Sequence, residues 1–189
     1  RDRNYYSKNL LIKKINKILI STFLITFIPT HINSAKAFEF QWNPTDGYKK
    51  LNWYQRTNAK RAKNKIYFFF MPRDRKTGFL SINIKIPKNF KSTLKPKNIT
   101  FCKANFGGYT GKTKCIENIP SDIVIDKENK RLEIYPIIPV PADKDKYAVV
   151  FKINNPRKSG LYQFHSFGKS SGPVPVSNYI GSWTINISP

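Results

Sequence analysis

The stretch KIYFFFMPRDRKTGFLSINIKI, residues 65–86, decides the fold. Its first part, Lys65–Met71, is a continuous apolar run, and its last part, Phe79–Ile86, alternates between apolar and polar residues. One face of that last part carries four aliphatic residues, Leu80, Ile82, Ile84 and Ile86. A short apolar run and a period of two both indicate β-strands. The residues between them, PRDRKTG, are typical of a turn, so the stretch predicts two strands joined by a short connection.

Similar short segments continue along the chain. They read NITFC, KTKCI, DIVID, RLEIYP, YAVVFKI, LYQFHSF and GSWTINI, and each is bounded by Pro, Gly, Asn or Asp. Only residues 52–65, NWYQRTNAKRAKNK, are compatible with a short helix, and they lack an apolar stripe. About nine short strands in a chain of this size predict an all-β protein, an antiparallel β-sandwich of immunoglobulin-like topology.

The beginning of the chain has the layout of a secretory signal peptide. Residues 1–17 are basic, Ile18–Ile28 contain no charge, and an Ala-x-Ala pattern ends at Ala37. The apolar run is well short of the roughly 20 residues that a membrane-spanning helix needs. We therefore expect a signal peptide over residues 1–37, a single β-sandwich domain over residues 38–189, and no transmembrane span after processing.

The charge of the expected domain predicts an anionic partner. Residues 38–189 contain 27 basic and 10 acidic side chains, a formal net charge of +17. Nucleic acid is not expected, because an exported domain seldom meets it and no nucleic-acid-binding module is recognisable. An acidic protein surface, an anionic polysaccharide or anionic lipid remains. The alternative is that the lysines, which are abundant throughout the chain, only solvate the surface.

Two cysteines flank a glycine-rich stretch. Cys102 and Cys115 lie in predicted strands on either side of it, and an exported pair usually forms a disulfide. A hairpin that turns about Gly108 and Tyr109 would place the two cysteines opposite each other. The bridge would close a loop of 14 residues and stabilise the fold by about 3 kcal/mol. A pair of reactive thiols is the alternative.

The same stretch, GGYTGKTKC at residues 107–115, ends like a phosphate-binding loop. A P-loop requires a glycine five positions before Gly111, and Phe106 stands there. No helical period follows the Gly-Lys-Thr sequence. The stretch therefore predicts the tip of a β-hairpin and not a nucleotide site.

The sequence does not predict an enzyme. His165 is the only histidine after residue 37, and one histidine builds neither a catalytic triad nor a zinc site of Cys and His ligands. We expect it to be a half-exposed strand residue. The acidic residues near predicted turns, where carboxylates form local hydrogen bonds, are Asp122, Asp126, Glu128, Asp143 and Asp145. We expect no catalytic residue, no metal and no cofactor.

Aromatic and basic residues near the start of the domain are the best candidates for contact with a partner. Aromatic rings beside cations stack on sugars or anchor at a protein or lipid surface. A second basic group lies in the predicted turn after residue 71. The candidate residues are Trp53, Tyr54, Arg56, Lys60, Arg61, Lys63, Lys65, Arg73, Arg75 and Lys76. The alternative for Trp53 is a place in the core.

Several segments together resemble one protein family. They are FQWNPTDGY (residues 40–48), PRDRKTGFLSI (72–82), LKPKNITFC (94–102), YAVVFKINNP (147–156) and GLYQFHSFGKSSGPVPVSNYIGSWTINI (160–187). The chain resembles the DUF2808 family of exported, mainly cyanobacterial proteins of unknown function. The resemblance implies a signal peptide, one small domain and a periplasmic or thylakoid-lumen setting, and it supplies no catalytic residues.

These observations together predict a binding protein. We expect an exported, non-enzymatic domain that docks on an acidic lumenal or periplasmic surface of a membrane protein complex, as an accessory subunit or assembly factor. A cell-envelope structural protein that binds anionic polysaccharide or lipid is the alternative. A third possibility is an enzyme or a carrier of small molecules.

Overall fold

The computed structural model describes residues 47–108, 111–170 and 176–188. The predicted signal peptide lies outside these residues. The strands are β1 (Trp53–Gln55), β2 (Lys63–Phe70), β3 (Phe79–Lys85), β4 (Ile99–Asn105), β5 (Lys114–Asn118), β6 (Ser121–Asp126), β7 (Arg131–Pro136), β8 (Tyr147–Asn154), β9 (Gly160–Ser170) and β10 (Ser177–Ile187). Two short 3-10 helices cover Pro72–Asp74 and Pro96–Asn98. No helix among the described residues is long and apolar enough to cross a membrane.

The strands form two five-stranded sheets. The first sheet has the order β1-β2-β8-β4-β5, and the second has the order β10-β9-β3-β7-β6. Neighbouring strands are antiparallel in both sheets. The chain passes between the sheets several times, as in immunoglobulin-like sandwiches. The predicted all-β, antiparallel sandwich is confirmed.

The core lies between the two sheets and is rich in aromatic residues. Along β2, Ile66, Phe68 and Phe70 point into it, because side chains of a strand alternate between its faces. The Phe68 ring centroid lies 4.9 Å from that of Trp183 on β10. The indole Nε1 of Trp183 donates a hydrogen bond to the carbonyl oxygen of Phe69 at 3.1 Å, which ties the second sheet to the first.

Local irregularities correct two details of the sequence prediction. Residues 52–65, which were compatible with a short helix, do not form one, because β1, a turn and the start of β2 occupy them. A register shift between Phe79 and Ser81 turns Phe79 into the core, while Leu80 stays half-exposed. A bulge adds one residue to a strand, so the alternation predicted for Leu80 fails at that point.

The disulfide between Cys102 and Cys115 is confirmed, with a Cα–Cα distance of 5.8 Å. The predicted pairing of the two cysteines is wrong in register: Cys102 pairs with Asn118, and Cys115 pairs with Ala104. A bulge between Lys103 and Ala104 shifts the strands, so the bridge joins neighbouring rungs. At the tip, Gly108 pairs with Gly111, and the predicted turn residue Tyr109 lies outside the described residues.

A segment before β1 lies along the edge of β10. Leu51 donates its backbone N–H to the carbonyl of Ser182 at 2.8 Å, and Ser182 donates to the carbonyl of Lys49 at 2.7 Å. Gly181 lies against this segment with φ +157°, and a Cβ atom there would be 2.6 Å from Cγ of Leu51. Glycine is needed at this position, because any side chain would push the segment off the sheet.

Candidate functional site

Basic side chains surround a cleft of about 780 Å³ at one end of the first sheet. The cleft lies where β2 begins and β8 ends, beside the segment that precedes β4. We call it the basic cleft, and its basic residues are Arg61, Lys63, Lys91, Lys95, Lys97, Lys152 and Arg157. All seven are exposed, and none of the described lining residues is acidic. Such a surface attracts anions.

Two buried asparagines build one wall of the basic cleft. The Oδ1 atom of Asn64 accepts hydrogen bonds from the backbone N–H groups of Arg56 and Thr57 at 3.1 and 3.2 Å. Its Nδ2 atom donates to the carbonyl of Thr57 at 2.7 Å and to Oδ1 of Asn155 at 2.8 Å. Asn155 Nδ2 in turn donates to the carbonyl of Ala59 at 2.7 Å. This network fixes the connection between β1 and β2, which carries Arg61 into the cleft.

Arg61 has an unusual backbone conformation, with φ +60°. Its N–H donates to the carbonyl of Pro156 at 3.3 Å, so the left-handed turn joins the connection to the residues after β8. A positive φ is unfavourable for a residue with a side chain, and residues held in such conformations cluster at functional sites.

The opposite wall comes from the segment between β3 and β4. Phe90 anchors its beginning in the core, with its ring centroid 5.0 Å from that of Phe164, and Leu94 packs against the same core. The hydroxyl of Ser92 donates to the carbonyl of Asn154 at 2.5 Å. Lys91 lies between these anchors, Lys95 and Lys97 follow Leu94, and all three line the cleft. Alternation between anchors and lysines therefore directs the charges outwards.

An aromatic groove of about 650 Å³ lies next to the basic cleft on the outer face of the first sheet. We define it by Tyr54, Tyr67 and Phe106 together with the basic residues Arg56, Lys65 and Lys112. The ammonium group of Lys65 lies 5.0 Å from the centroid of the Tyr67 ring, within the range of a cation–π contact. Tyr54 is 42% exposed and presents its ring to solvent.

Arg75 does not belong to a surface that contacts a partner. Its side chain is 0% exposed, and its guanidinium donates to Oδ1 of Asp143 at 2.5 Å and to the carbonyl of Asp145 at 2.7 Å. A further hydrogen bond reaches the carbonyl of Pro141, and the guanidinium lies over the Tyr147 ring. Arg75 holds the loop between β7 and β8, which corrects its assignment as a contact residue.

The Asp143 carboxylate completes this internal network. It accepts hydrogen bonds from the Tyr147 hydroxyl at 2.7 Å and from the backbone N–H of Asp145 at 3.0 Å, besides the guanidinium of Arg75. Burial alone would raise its pKa, but the bonds from Arg75 and Tyr147 outweigh burial and hold the pKa of Asp143 below its usual value. Burial and the adjacent Asp143 carboxylate raise the pKa of Tyr147.

The other predicted contact residues are distributed over different places. Trp53 is half-buried and packs against the core, which agrees with the alternative prediction that it serves the core and not a partner. Lys60 is exposed beside the basic cleft without lining it. Arg73 and Lys76 are exposed near the short helix Pro72–Asp74, away from both the cleft and the groove. The structure thus brings together Arg61 with Lys63, and Tyr54 with Arg56 and Lys65.

His165 is a half-buried residue of β9, in agreement with the sequence prediction. Its Nδ1 atom lies 2.7 Å from Oγ of Ser182, and the Tyr179 hydroxyl lies 2.7 Å from the same oxygen. Ser182 is only 3% exposed, and its backbone holds the segment at Lys49. Burial and the positive charge of Lys85 lower the pKa of His165. The contacts place these side chains in the packing of the sheet edge.

Five of the seven basic-cleft residues were not among the sequence candidates: Lys91, Lys95, Lys97, Lys152 and Arg157. They come from two distant parts of the chain: the pairing of β2 with β8 brings Lys152 and Arg157 beside Arg61, and the pairing of β4 with β8 brings the other three. The alternation of lysine with Leu94 and Phe90 was the one local signal for an exposed basic wall.

Comparison with solved structures finds distant likenesses. The bacterial hydrophobin BslA is 13% identical with a TM-score of 0.46, and the match covers 75% of this chain and 95% of that chain. The collagen-binding domain of a Staphylococcus aureus adhesin is 10% identical with a TM-score of 0.37, over 71% of this chain and 95% of that one.

Sequence comparison gives a clear family assignment. No curated protein matches the chain. A family model described as "Protein of unknown function (DUF2808)" matches residues 38–187, which is most of the chain and begins where the predicted signal peptide ends. The protein therefore belongs to the DUF2808 family.

Proposed function

We propose that the protein is a non-enzymatic binding domain that docks on an acidic macromolecular surface through the basic cleft. One observation carries the proposal: seven exposed cations converge on a concave surface with no acidic residue among the described lining residues. Cations assembled in this way repel one another, and a bound anion removes that repulsion. Their convergence from three parts of the chain argues against lysines that only solvate the surface.

The partner that we propose first is an acidic face of a membrane protein complex. The protein is then an exported accessory subunit or assembly factor in the periplasm or the thylakoid lumen. The net charge of residues 38–189 supports an anionic partner, and the predicted signal peptide supports this setting. Charge complementarity would speed the encounter and orient the partner, while contacts around the cleft would supply the remaining affinity.

Affinity capture from native membranes tests the proposal. The protein is used as bait and washed first at low and then at high salt. A triple variant, Lys63→Gln, Lys97→Gln and Lys152→Gln, removes one cation from each of three elements around the cleft. We expect it to lose the partner that the wild type retains at low salt, because its cleft has three fewer positive charges.

The matched control has the same change of charge elsewhere. Lys88, Lys127 and Lys169 are exposed and lie outside the basic cleft, so their replacement by Gln should leave capture unchanged. Equal loss of the partner in both triple variants would show that net charge, and not the cleft, drives binding. One protein complex that survives the high-salt wash would identify a dedicated subunit.

The second candidate is a cell-envelope structural protein that binds anionic polysaccharide or lipid. The aromatic groove beside the basic cleft favours it, because an exposed ring such as that of Tyr54 offers a stacking surface. Attachment of this kind depends on charge and should fade as salt rises. Loss of all captured material at high salt, with polysaccharide or lipid in the low-salt eluate, would favour this candidate.

A further inference from the structure

The basic cleft and the aromatic groove lie on one continuous face. Side chains at alternate positions of β2, from Lys63 through Lys65 to Tyr67, share the outer face of the first sheet. On the neighbouring strand, Asn154 pairs with Lys63, Lys152 with Lys65, and Val150 with Tyr67. The distance along the strand from Lys63 to Tyr67 is about 13 Å. The face therefore changes from basic to aromatic within a few residues.

Lys65 and Lys152 mark the junction of the two surfaces. Lys65 lines the aromatic groove, Lys152 lines the basic cleft, and the two residues are directly opposite each other in the sheet. Like charges in directly opposed positions destabilise a sheet. Here one carboxylate placed between the two ammonium groups would relieve their repulsion.

Aromatic side chains line the groove end of this face. Tyr54 pairs with Tyr67 across β1 and β2, and their ring centroids are 6.1 Å apart. Phe106 packs edge-on against Phe69, with centroids 4.9 Å apart, and forms the opposite wall. The disulfide at Cys115 packs against the same outer cluster and secures the hairpin that carries Phe106. The groove is thus partly apolar, and the disulfide ties together the two strands of the hairpin beside it.

The chemistry of this face matches one class of ligand. From the combination of aromatic walls with a row of cations, we infer that the face binds an acidic polysaccharide, with a sugar ring in the aromatic groove and its carboxylates along Lys65, Lys152 and the basic cleft. Sugar rings have apolar faces that stack on aromatic side chains, while an acidic peptide would use the cations alone. The inference rests on the proposed anion-binding function of the basic cleft, and of the two partner classes proposed for the cleft it favours the second, an anionic polysaccharide, over an acidic protein surface.

Binding of two acidic oligomers tests the inference. Oligogalacturonate and oligoglutamate with equal numbers of carboxylates are titrated into the full-length protein by calorimetry at fixed salt. We expect oligogalacturonate to bind more tightly. Tyr54→Ala should lower the affinity for oligogalacturonate by a factor of roughly five or more, because it removes the stacking surface. It should leave the affinity for oligoglutamate unchanged, because it removes no charge. Tyr54→Phe keeps the ring and should retain the affinity.

Tyr135→Ala is the matched control for Tyr54→Ala. Tyr135 is 43% exposed and lies on β7 of the other sheet, so its loss should change neither affinity. Circular dichroism of each variant checks that the fold is intact. Lys152→Gln should lower the affinity for both oligomers, because it removes one of the two positive charges where the cleft meets the groove.

The outcomes separate the inference from the proposed function. Equal affinity for the two oligomers with no effect of Tyr54→Ala would overturn the polysaccharide inference and leave the basic cleft as an anion site. Tighter binding of oligoglutamate would also overturn it, in favour of an acidic protein partner. Failure of both oligomers to bind would overturn the proposed function and the inference together.

Discussion

Single residues show which basic side chains serve the fold and which face solvent. Arg75 and Arg61 are both arginines in connections, yet Arg75 is buried over Tyr147 and Arg61 is exposed at the basic cleft. Arg75 has a carboxylate and backbone carbonyls as partners, which a buried guanidinium requires. Arg61 instead adopts a positive φ, a conformation that costs of the order of 1 kcal/mol for a residue with a side chain.

Replacement of Arg61 by glycine should separate stability from binding. Glycine adopts a positive φ without steric cost, so Arg61→Gly should leave the free energy of unfolding unchanged or raise it by up to about 1 kcal/mol. Affinity for an acidic polymer should fall several-fold, because a cleft cation is lost. Urea unfolding and calorimetric titration measure the two effects.

Lys130 is the matched control for this substitution. It is the other residue with a side chain and a positive φ in the described part of the chain, and it lies in the connection between β6 and β7. Lys130→Gly should change stability in the same direction without weakening the affinity. A loss of binding in both variants would contradict the assignment of Arg61 to the site.

At the level of strands and loops, much of the fold could be predicted from the sequence. The nine predicted strands all occur, because their apolar period is local and their ends carry turn residues. The three-residue strand β1 was missed, since its pairing with β2 depends on contacts outside the segment. The disulfide was predicted, but its register was not, because the bulge at Lys103 leaves no mark in the sequence pattern.

The site could be predicted less completely than the strands. Arg61 and Lys63 stood out because they form one basic run, and Tyr54 with Lys65 stood out because aromatic and basic residues lie close in sequence. Lys152 and its distant neighbours carry no such local signal. Their role follows from the pairing of β8 with β2, which requires the whole fold.

The loop between β7 and β8 should respond to acid through Asp143. Replacement by Asn leaves the buried guanidinium of Arg75 without its carboxylate, so Asp143→Asn should lower the free energy of unfolding by about 1–3 kcal/mol near neutral pH. The carboxyl has a lowered pKa in the folded state. Its stabilisation is therefore complete above the usual Asp value of about 3.9 and is lost as pH falls below it.

The measurement is urea unfolding of wild type and Asp143→Asn between pH 7 and pH 2.5. The difference between the two proteins should narrow at the acid end, because the wild-type carboxylate becomes protonated there. Asp122→Asn, an exposed carboxylate of β6, should match the wild type at every pH. A difference that stays constant down to pH 2.5 would argue against an ionised Asp143 as the partner of Arg75.

At the scale of the whole molecule, the positive charge makes stability depend on anions. The chain has a formal net charge of +23, and residues 38–189 retain +17. Charge of one sign destabilises a compact state through repulsion, and a ligand that binds only the folded state stabilises it. The basic cleft concentrates this repulsion in one place.

Thermal unfolding should therefore report occupation of the basic cleft. Oligogalacturonate at about 100 times its Kd should stabilise the protein by about 2.7 kcal/mol. For a domain of this size, that corresponds to a rise in Tm of roughly 5–11 °C. The triple variant Lys63→Gln, Lys97→Gln and Lys152→Gln should have a smaller rise and a higher Tm in the absence of polymer at low salt. A Tm that no acidic polymer changes would contradict the role of the cleft.

The edge of β10 has a consequence for how the chain is made. The segment around Leu51 finds its hydrogen-bonding partner in Ser182, which is synthesised about 130 residues later. Long-range pairings of this kind slow folding, because a large loop must close before the contact forms. The start of the domain is therefore synthesised long before β10, the strand with which it pairs. The sandwich can close only when nearly all of the chain, as far as β10, is available to fold.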